Sequence, residues 1–289
     1  MSLIKSKIHL IECPRDAMQG WKHFISTEKK ITYINKLLKV GFDTLDFGSF
    51  VSAKAIPQMA DTKEVITQLS IENSKTKLLA IVANVRGATE AAEFETISYL
   101  GFPFSISPTF QLRNTNSSIE QSLGIVKEIK TICDKNKKKA IVYISMAFGN
   151  PYGDDYKEEI VLQLIDKLVG EGIEIISLAD TVGVASPAQV SSLVKKVIEA
   201  FPGIETGVHL HSTSSLWQQK LDAALEQGCT RFDGALKGIG GCPMANDELV
   251  GNMDSELMIP YFRSLGYLQN LDMNALAECS RFASEIFIS

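Results

Sequence analysis

Eight short apolar, β-branched runs recur along the chain, at residues 8–12, 44–48, 78–82, 103–108, 140–148, 174–179, 207–211 and 231–236, and each is followed by a helix-like stretch. Segments 28–40, 119–133, 158–170, 187–200 and 215–227 carry apolar residues at helical period, and several end at glycine. Parallel strands need a long crossover, usually a helix, so the alternation predicts parallel pairing. Eight such units predict an α/β fold closed as a (β/α)8 TIM barrel, with an open doubly wound sheet as the competing arrangement. From about residue 247 the tail reads as additional C-terminal helices, including one over 274–287. That is more than closure requires and leaves them free to cap a barrel end. There is no low-complexity linker or composition break, so residues 1–289 read as one domain.

Composition narrows the partners. With 45% hydrophobic and 22% charged residues the chain can bury a large core. A net charge of -5 offers no basic footprint for nucleic acid, and Lys135, Lys137, Lys138 and Lys139 read as a solvated helix end. No apolar run approaches the ~20 residues of a membrane helix. The five cysteines are scattered without disulfide or zinc spacing, which points to a reducing cytoplasm.

In a barrel of this kind chemistry belongs where strands run into the following loops. Glu12-Cys-Pro-Arg-Asp-Ala-Met-Gln19 begins at such a point. Asp16 offers hard oxygen to a divalent metal, and Arg15 offers a fixed cation to an oxyanion; the plain alternative is a surface ion pair. His209-Leu-His211 ends the seventh strand, where residues two apart share a side, so two imidazoles converge. Half of the four histidines lie in this tripeptide, which favours a metal pair over chance packing. Gly238-Ile-Gly-Gly-Cys-Pro243 follows the eighth strand, and Cys242 there can exchange a proton or be a buried small residue. Asp46 and Asp180 close strands two and six and put two more carboxylates on this face, although Asp180, before Thr-Val-Gly, also suits a turn or cap.

These residues resemble the 3-hydroxy-3-methylglutaryl-CoA lyase family of metal-dependent barrel enzymes over nearly the whole chain. The most specific pieces are Pro14-Arg-Asp-x-x-Gln19, Ser49-Phe-Val-Ser52 with Pro57-Gln-Met59, Ser177-Leu-Ala-Asp-Thr-Val-Gly183, His209-x-His211 and Gly240-Gly-Cys-Pro243. The resemblance implies that Asp16, His209, His211 and Asn252 hold a divalent magnesium or manganese ion. It implies cleavage of a small acyl-CoA, 3-hydroxy-3-methylglutaryl-CoA, to acetyl-CoA and acetoacetate. Arg15 would steady the enolate and Cys242 would protonate it; Asp46, Asp180, Asp16 and His209 would tune or carry protons around the hydroxyl. Gln19, Lys22, Asn84 and Asn116 match positions near the substrate or CoA, and a homodimer is carried over in the same way.

The chain also departs from that pattern. Asp46 stands where the lyases carry glutamate, Ala17 replaces a glycine, and Ser212, Ser214 and Ser215 replace an aspartate, a tyrosine and a glycine. The loop Met244-Ala-Asn-Asp-Glu-Leu-Val250 is one residue longer and more acidic than its counterpart. These changes leave room for a lyase or aldolase acting on another 3-hydroxy acid or its CoA ester, a condensing synthase, or a non-catalytic metal-binding barrel.

Overall fold

A computed structural model describes residues 7–213, 215–241 and 250–288. In chain order the elements are β1 (His9–Glu12), α1 (Pro14–Gln19), α2 (Thr27–Leu37), β2 (Thr44–Ser49), α3 (Thr62–Thr67), β3 (Lys77–Ile81), α4 (Val85–Ala92) and β4 (Ile97–Ser105). There follow α5 (Pro108–Thr115), α6 (Ile119–Lys135), β5 (Lys139–Ser145), α7 (Glu158–Gly170), β6 (Ile175–Ala179), α8 (Pro187–Ala200), β7 (Glu205–His209), α9 (Trp217–Leu225) and β8 (Arg231–Gly234). Two helices, α10 (Ser255–Ser264) and α11 (Met273–Ile286), finish the chain.

The eight strands pair in sequence order, all parallel, and β1 joins β8 with His9 opposite Arg231, so the sheet is a closed barrel and not an open one. Local signals set the helices that intervene. Ser118 and Ser186 make capping boxes with Gln121 and Gln189 at the starts of α6 and α8, devices each worth about 1 kcal/mol. In α7 the buried residues Val161, Leu164, Ile165 and Leu168 fall at one-face helical spacing, which presses the helix onto the sheet. Alternation along the strands then separates two cores. Outward residues such as Phe102, Phe104, Val142, Ile144 and Ile176 pack beneath the helices. Leu79, Ile81, Tyr99, Ile141, Tyr143 and Ile175 form a smaller cluster of their own inside the barrel.

Two boundaries differ from the sequence reading for identifiable reasons. β4 begins at Ile97, not 103, and runs through Pro103. The Gly101 carbonyl accepts from the Val82 N–H, so alternate positions of β4 face β3, and at Pro103 β3 has already ended; the missing N–H breaks no ladder bond. β5 stops at Ser145 because Met146 turns into a left-handed conformation, φ 59°. The tail helices pack on the outer ring and against the turn after β8. α10 sets Phe262 on Phe232 of β8 and Tyr261 on Trp217 of α9, and α11 sets Phe282 beside Tyr33 of α2, so both helices complete the outer ring. Among the described residues no helix is long and apolar enough to cross a membrane.

Candidate active site

The stretch after β1 is a short helix, not a loop. Pro14 occupies its first turn, where a missing N–H costs nothing, and the Cys13 N–H is tied to the Gly234 carbonyl at 2.9 Å. α1 therefore lies over the C-terminal mouth of the barrel with Arg15 and Asp16 both buried. Asp16 is the hub of the polar groups gathered there. Its Oδ1 accepts from Gln19 Nε2 at 2.8 Å and Arg15 Nη1 at 3.0 Å, and its Oδ2 accepts from Asn252 Nδ2 at 2.7 Å. Burial alone would push its carboxyl up, but Arg15 and the two histidines outweigh it and hold Asp16 at about 2. Arg15 Nε also donates to both Asp46 oxygens, at 3.2 and 3.0 Å, so one guanidinium is fixed between two acids. Asp46 differs from Asp16 in sign: burial takes its carboxyl up to about 6 against the pull of Arg15.

His209 and His211 meet as the strand alternation predicts, Nε2 to Nε2 at 3.4 Å. His211 lies just beyond β7, in an isolated antiparallel bridge with Asn252, which is what brings that distant asparagine beside the pair. The Asp233 Oδ2 accepts from His209 Nδ1 at 3.1 Å, which assigns the proton to Nδ1 and leaves the Nε2 lone pair facing Asp16 and His211. Burial pulls the His209 imidazole down, yet the Asp233 hydrogen bond overrides it and the net shift is upward. His211, by burial and by the charge of His209, is held down at about 3 and stays neutral. One carboxylate oxygen and two imidazole nitrogens from Asp16, His209 and His211 lie within 4.8 Å of one another, a donor set that can hold a divalent cation. The loop above has no spare room: a Cβ on Gly240, φ +128°, would sit 2.1 Å from Asn252 Nδ2 and 2.8 Å from Asp16 Oδ2. Beside this cluster opens a cavity of about 240 Å³, polar along Arg15, Gln19 and His209, apolar along Val51, Ile56 and Phe110.

Other sequence candidates fall elsewhere. The Asp180 carboxylate accepts from Lys220 Nζ at 2.8 Å and the Ala185 N–H at 3.1 Å, and Lys220 also donates to the His211 carbonyl at 2.7 Å. Asp180 thus belongs to a strut behind His211 and does not face the cavity. Exposed Asn84 caps α4 by accepting from the Gly87 N–H at 2.9 Å, and exposed Asn116 ends α5 in a left-handed conformation. Exposed Lys22 lines a second hollow with Trp21 and His23, beneath Gly240 and Gly241. Cys242 lies outside the described residues. Sequence reasoning passed over Asp233, Lys220 and Glu12. Asp233 shares the inward side of β8 with Arg231, which alternation alone could have shown. Lys220 is a lysine on the buried face of α9. Glu12 accepts from the Leu236 N–H at 2.7 Å and the Ser255 hydroxyl at 2.5 Å, and burial pushes its carboxyl up to about 8. It ties β1 to the turn after β8 and to α10.

A closed parallel barrel with an oxygen and nitrogen cluster at its C-terminal mouth defines a metal-dependent barrel enzyme. The chain belongs to the HMGL-like family, whose profile matches residues 8–283. It is 33% identical over 272 residues to the hydroxymethylglutaryl-CoA lyase YngG of Bacillus subtilis, covering 94% of this chain and 90% of that protein. It is 30% identical over 279 residues to a 3-hydroxy-3-isohexenylglutaryl-CoA/hydroxymethylglutaryl-CoA lyase of Pseudomonas aeruginosa, covering 96% and 92%. An HMG-CoA lyase structure from Acinetobacter baumannii, in complex with coenzyme A and 3-methylmalate, superposes with a TM-score of 0.91 at 32% identity, covering 99% of this chain and 93% of that one.

Proposed function

We propose that the protein is a divalent-metal-dependent carbon–carbon lyase that cleaves 3-hydroxy-3-methylglutaryl-CoA to acetyl-CoA and acetoacetate. The observation that carries this reading is the joining of Arg15, Asp16, His209, His211 and Asn252 into one buried cluster that opens on a cavity, in a chain of this family. Asp16, His209, His211 and Asn252 would hold the ion, and the mixed oxygen and nitrogen set suits magnesium or manganese. When bound, the ion supplies a Lewis acid that acidifies the substrate's tertiary hydroxyl.

The protein's own groups carry the remaining work. The hydroxyl proton leaves, its oxygen becomes the ketone of acetoacetate, and the C2–C3 electron pair passes to the thioester as an enolate. Arg15, clamped between Asp46 and Asp16, presents a cation that need not reorganise as the enolate oxygen gains charge. Asp46, with its carboxyl near 6, suits a proton acceptor at neutral pH far better than Asp16, held near 2. The Cys242 thiol returns a proton to the enolate carbon, giving acetyl-CoA. Gln19 keeps Asp16 in place, and the Asp180–Lys220 strut fixes the His211 backbone. Lys22, Asn84 and Asn116 are exposed and do not line the cavity, so the long CoA arm of a substrate would be the part to meet them.

A second reading, a lyase for a bulkier 3-hydroxyacyl-CoA, draws on the Pseudomonas relative, whose name includes a 3-hydroxy-3-isohexenylglutaryl-CoA substrate. A coupled assay for acetyl-CoA and acetoacetate, with magnesium, manganese or a chelator, tests the first reading. Chelator-sensitive release on the order of 1–1000 per second is the expected result. Absence of release from folded, metal-loaded protein, with cleavage of a longer-chain analogue, would transfer the assignment to the second.

A further inference from the structure

The His209 ring stands between two donor clusters. Its Nε2 faces Asp16 and His211; on its Nδ1 side, Cys13 and Asp233 form with the same histidine a second group whose ligand atoms lie within 4.8 Å of one another. Cys13 and Asp233 are both buried, and Asp233 Oδ1 has no hydrogen-bond partner although its side chain is fully enclosed. The Tyr143 ring meets His209 edge-on at 5.9 Å, and its hydroxyl is likewise buried and unpartnered. The space on this side of His209 thus holds a sulfur, a nitrogen, a carboxylate oxygen with a lone pair unused, and a hydroxyl. Nothing in the proposed lyase chemistry employs the thiol or that lone pair.

We propose that Cys13, Asp233 and His209 Nδ1 form a second cation site, selective for a thiophilic divalent ion such as zinc, whose occupation disables the site of Asp16 and His211. Geometry supports it. The 3.1 Å between His209 Nδ1 and Asp233 Oδ2 is close to the roughly 3.3 Å that nitrogen and oxygen ligands span at tetrahedral zinc, and sulfur has roughly 1 Å to close at most. Softness sets selectivity: thiolate favours zinc, cadmium or cobalt, whereas magnesium keeps to oxygen donors. Charge balances as well, since a thiolate and a carboxylate offset a divalent ion inside the barrel.

Exclusion between the sites follows from one imidazole. To ligate the second ion, His209 gives up its Nδ1 proton and carries it on Nε2, while the Cys13 thiol releases its own proton to solvent. Nε2–H is no longer a donor atom for an ion held by Asp16 and His211. Two ions would need a bridging imidazolate, a far more basic ligand, so single occupation wins.

Cobalt(II) is the probe, because only a sulfur ligand gives it an intense near-ultraviolet charge-transfer band. Titration of the metal-free protein is expected to produce that band in wild type and in Cys242→Ser, and to lose it in Cys13→Ser. Added zinc is expected to release bound manganese, read by electron spin resonance, roughly tenfold more effectively in wild type than in Cys13→Ser. Cys13→Ala, checked for native circular dichroism, repeats the test should the serine variant misfold. A missing band in wild type, or a band that vanishes in Cys242→Ser and survives in Cys13→Ser, overturns the proposal. Neither readout needs substrate, so this site can fail while the lyase assignment stands, and the reverse.

Discussion

The two sides of the barrel interior are built on opposite principles. On β3 to β6 the inward positions include Leu79, Ile81, Tyr99, Ile141, Tyr143 and Ile175, a compact apolar cluster. On and just beyond β7, β8, β1 and β2 they include the ionisable Glu205, His209, Arg231, Asp233, Cys13 and Asp46 beside Ile11, Thr44 and Gly207, with the ionisable groups buried or half-buried. Enclosing an apolar side chain is favourable by about 2 kcal/mol, whereas an enclosed charge is tolerated only with partners. The pairings Arg15–Asp46, His209–Asp233 and Arg231–Glu205 are those partners. One half of the interior thus supplies rigidity and the other gives up some of it to groups held for chemistry. Tyr143 belongs to both, with its ring in the apolar cluster and against His209.

Removing the hub of the polar half is expected to have the largest effect. Asp16→Ala strips an oxygen donor from the cation cluster and frees Arg15, Gln19 and Asn252 from their common acceptor. Manganese affinity and kcat/KM are both expected to fall by roughly 100-fold or more, beyond the 10–100-fold typical of groups that only support a ligand. Thermal midpoint should fall only modestly, because Arg15 keeps Asp46 as its partner while Asn252 and Gln19 lose an acceptor. Isothermal titration with manganese beside a melting curve checks both arms, and unchanged affinity would remove Asp16 from the cation site.

The same division decides what could be read from the sequence. The barrel was legible because the outward faces of its strands are Val, Ile, Leu and Phe, which stand out as runs whatever the inward residues are. Where inward residues are small or carry a proline, as at Gly101 and Pro103 of β4, the run is broken and the strand start was misplaced. His209 and His211 were legible since two rare side chains recur at the strand period. Asp233 was not, because one aspartate in a strand looks like a solvent-facing alternate until a ring is seen across from it. Asp180 was placed on the right end of its strand, but its direction depends on Lys220, forty residues away, and no local signal encodes that pairing.

A cavity cut into the apolar half sharpens the contrast from the other side. Ile141 is fully buried in the interior cluster on β5. Ile141→Ala is expected to lower unfolding free energy by about 2–5 kcal/mol, as large-to-small core changes do. Metal affinity of the molecules that remain folded should be unchanged, since no partner of Asp16, His209 or His211 is lost. Denaturant unfolding and manganese titration at low denaturant separate the two quantities. A loss of affinity matching the loss of stability would mean that the halves are mechanically one.

Ser177 tests where the boundary runs. It faces the interior on β6, between Ile175 of the apolar cluster and Ala179 on the cavity wall, opposite Tyr143 on one side and Gly207 on the other. Its hydroxyl is buried without a partner, whereas His209, Arg231 and Asp233 each hold at least one hydrogen bond. Removing an unpaired hydroxyl recovers its desolvation penalty and loses no hydrogen bond. Ser177→Ala is therefore expected to stabilise the fold by up to about 1 kcal/mol and to leave manganese affinity and turnover unchanged. A destabilised variant with weaker metal binding would show that the hydroxyl serves Asp233 or Tyr143 across the barrel, and would move the polar half one strand further, to β6.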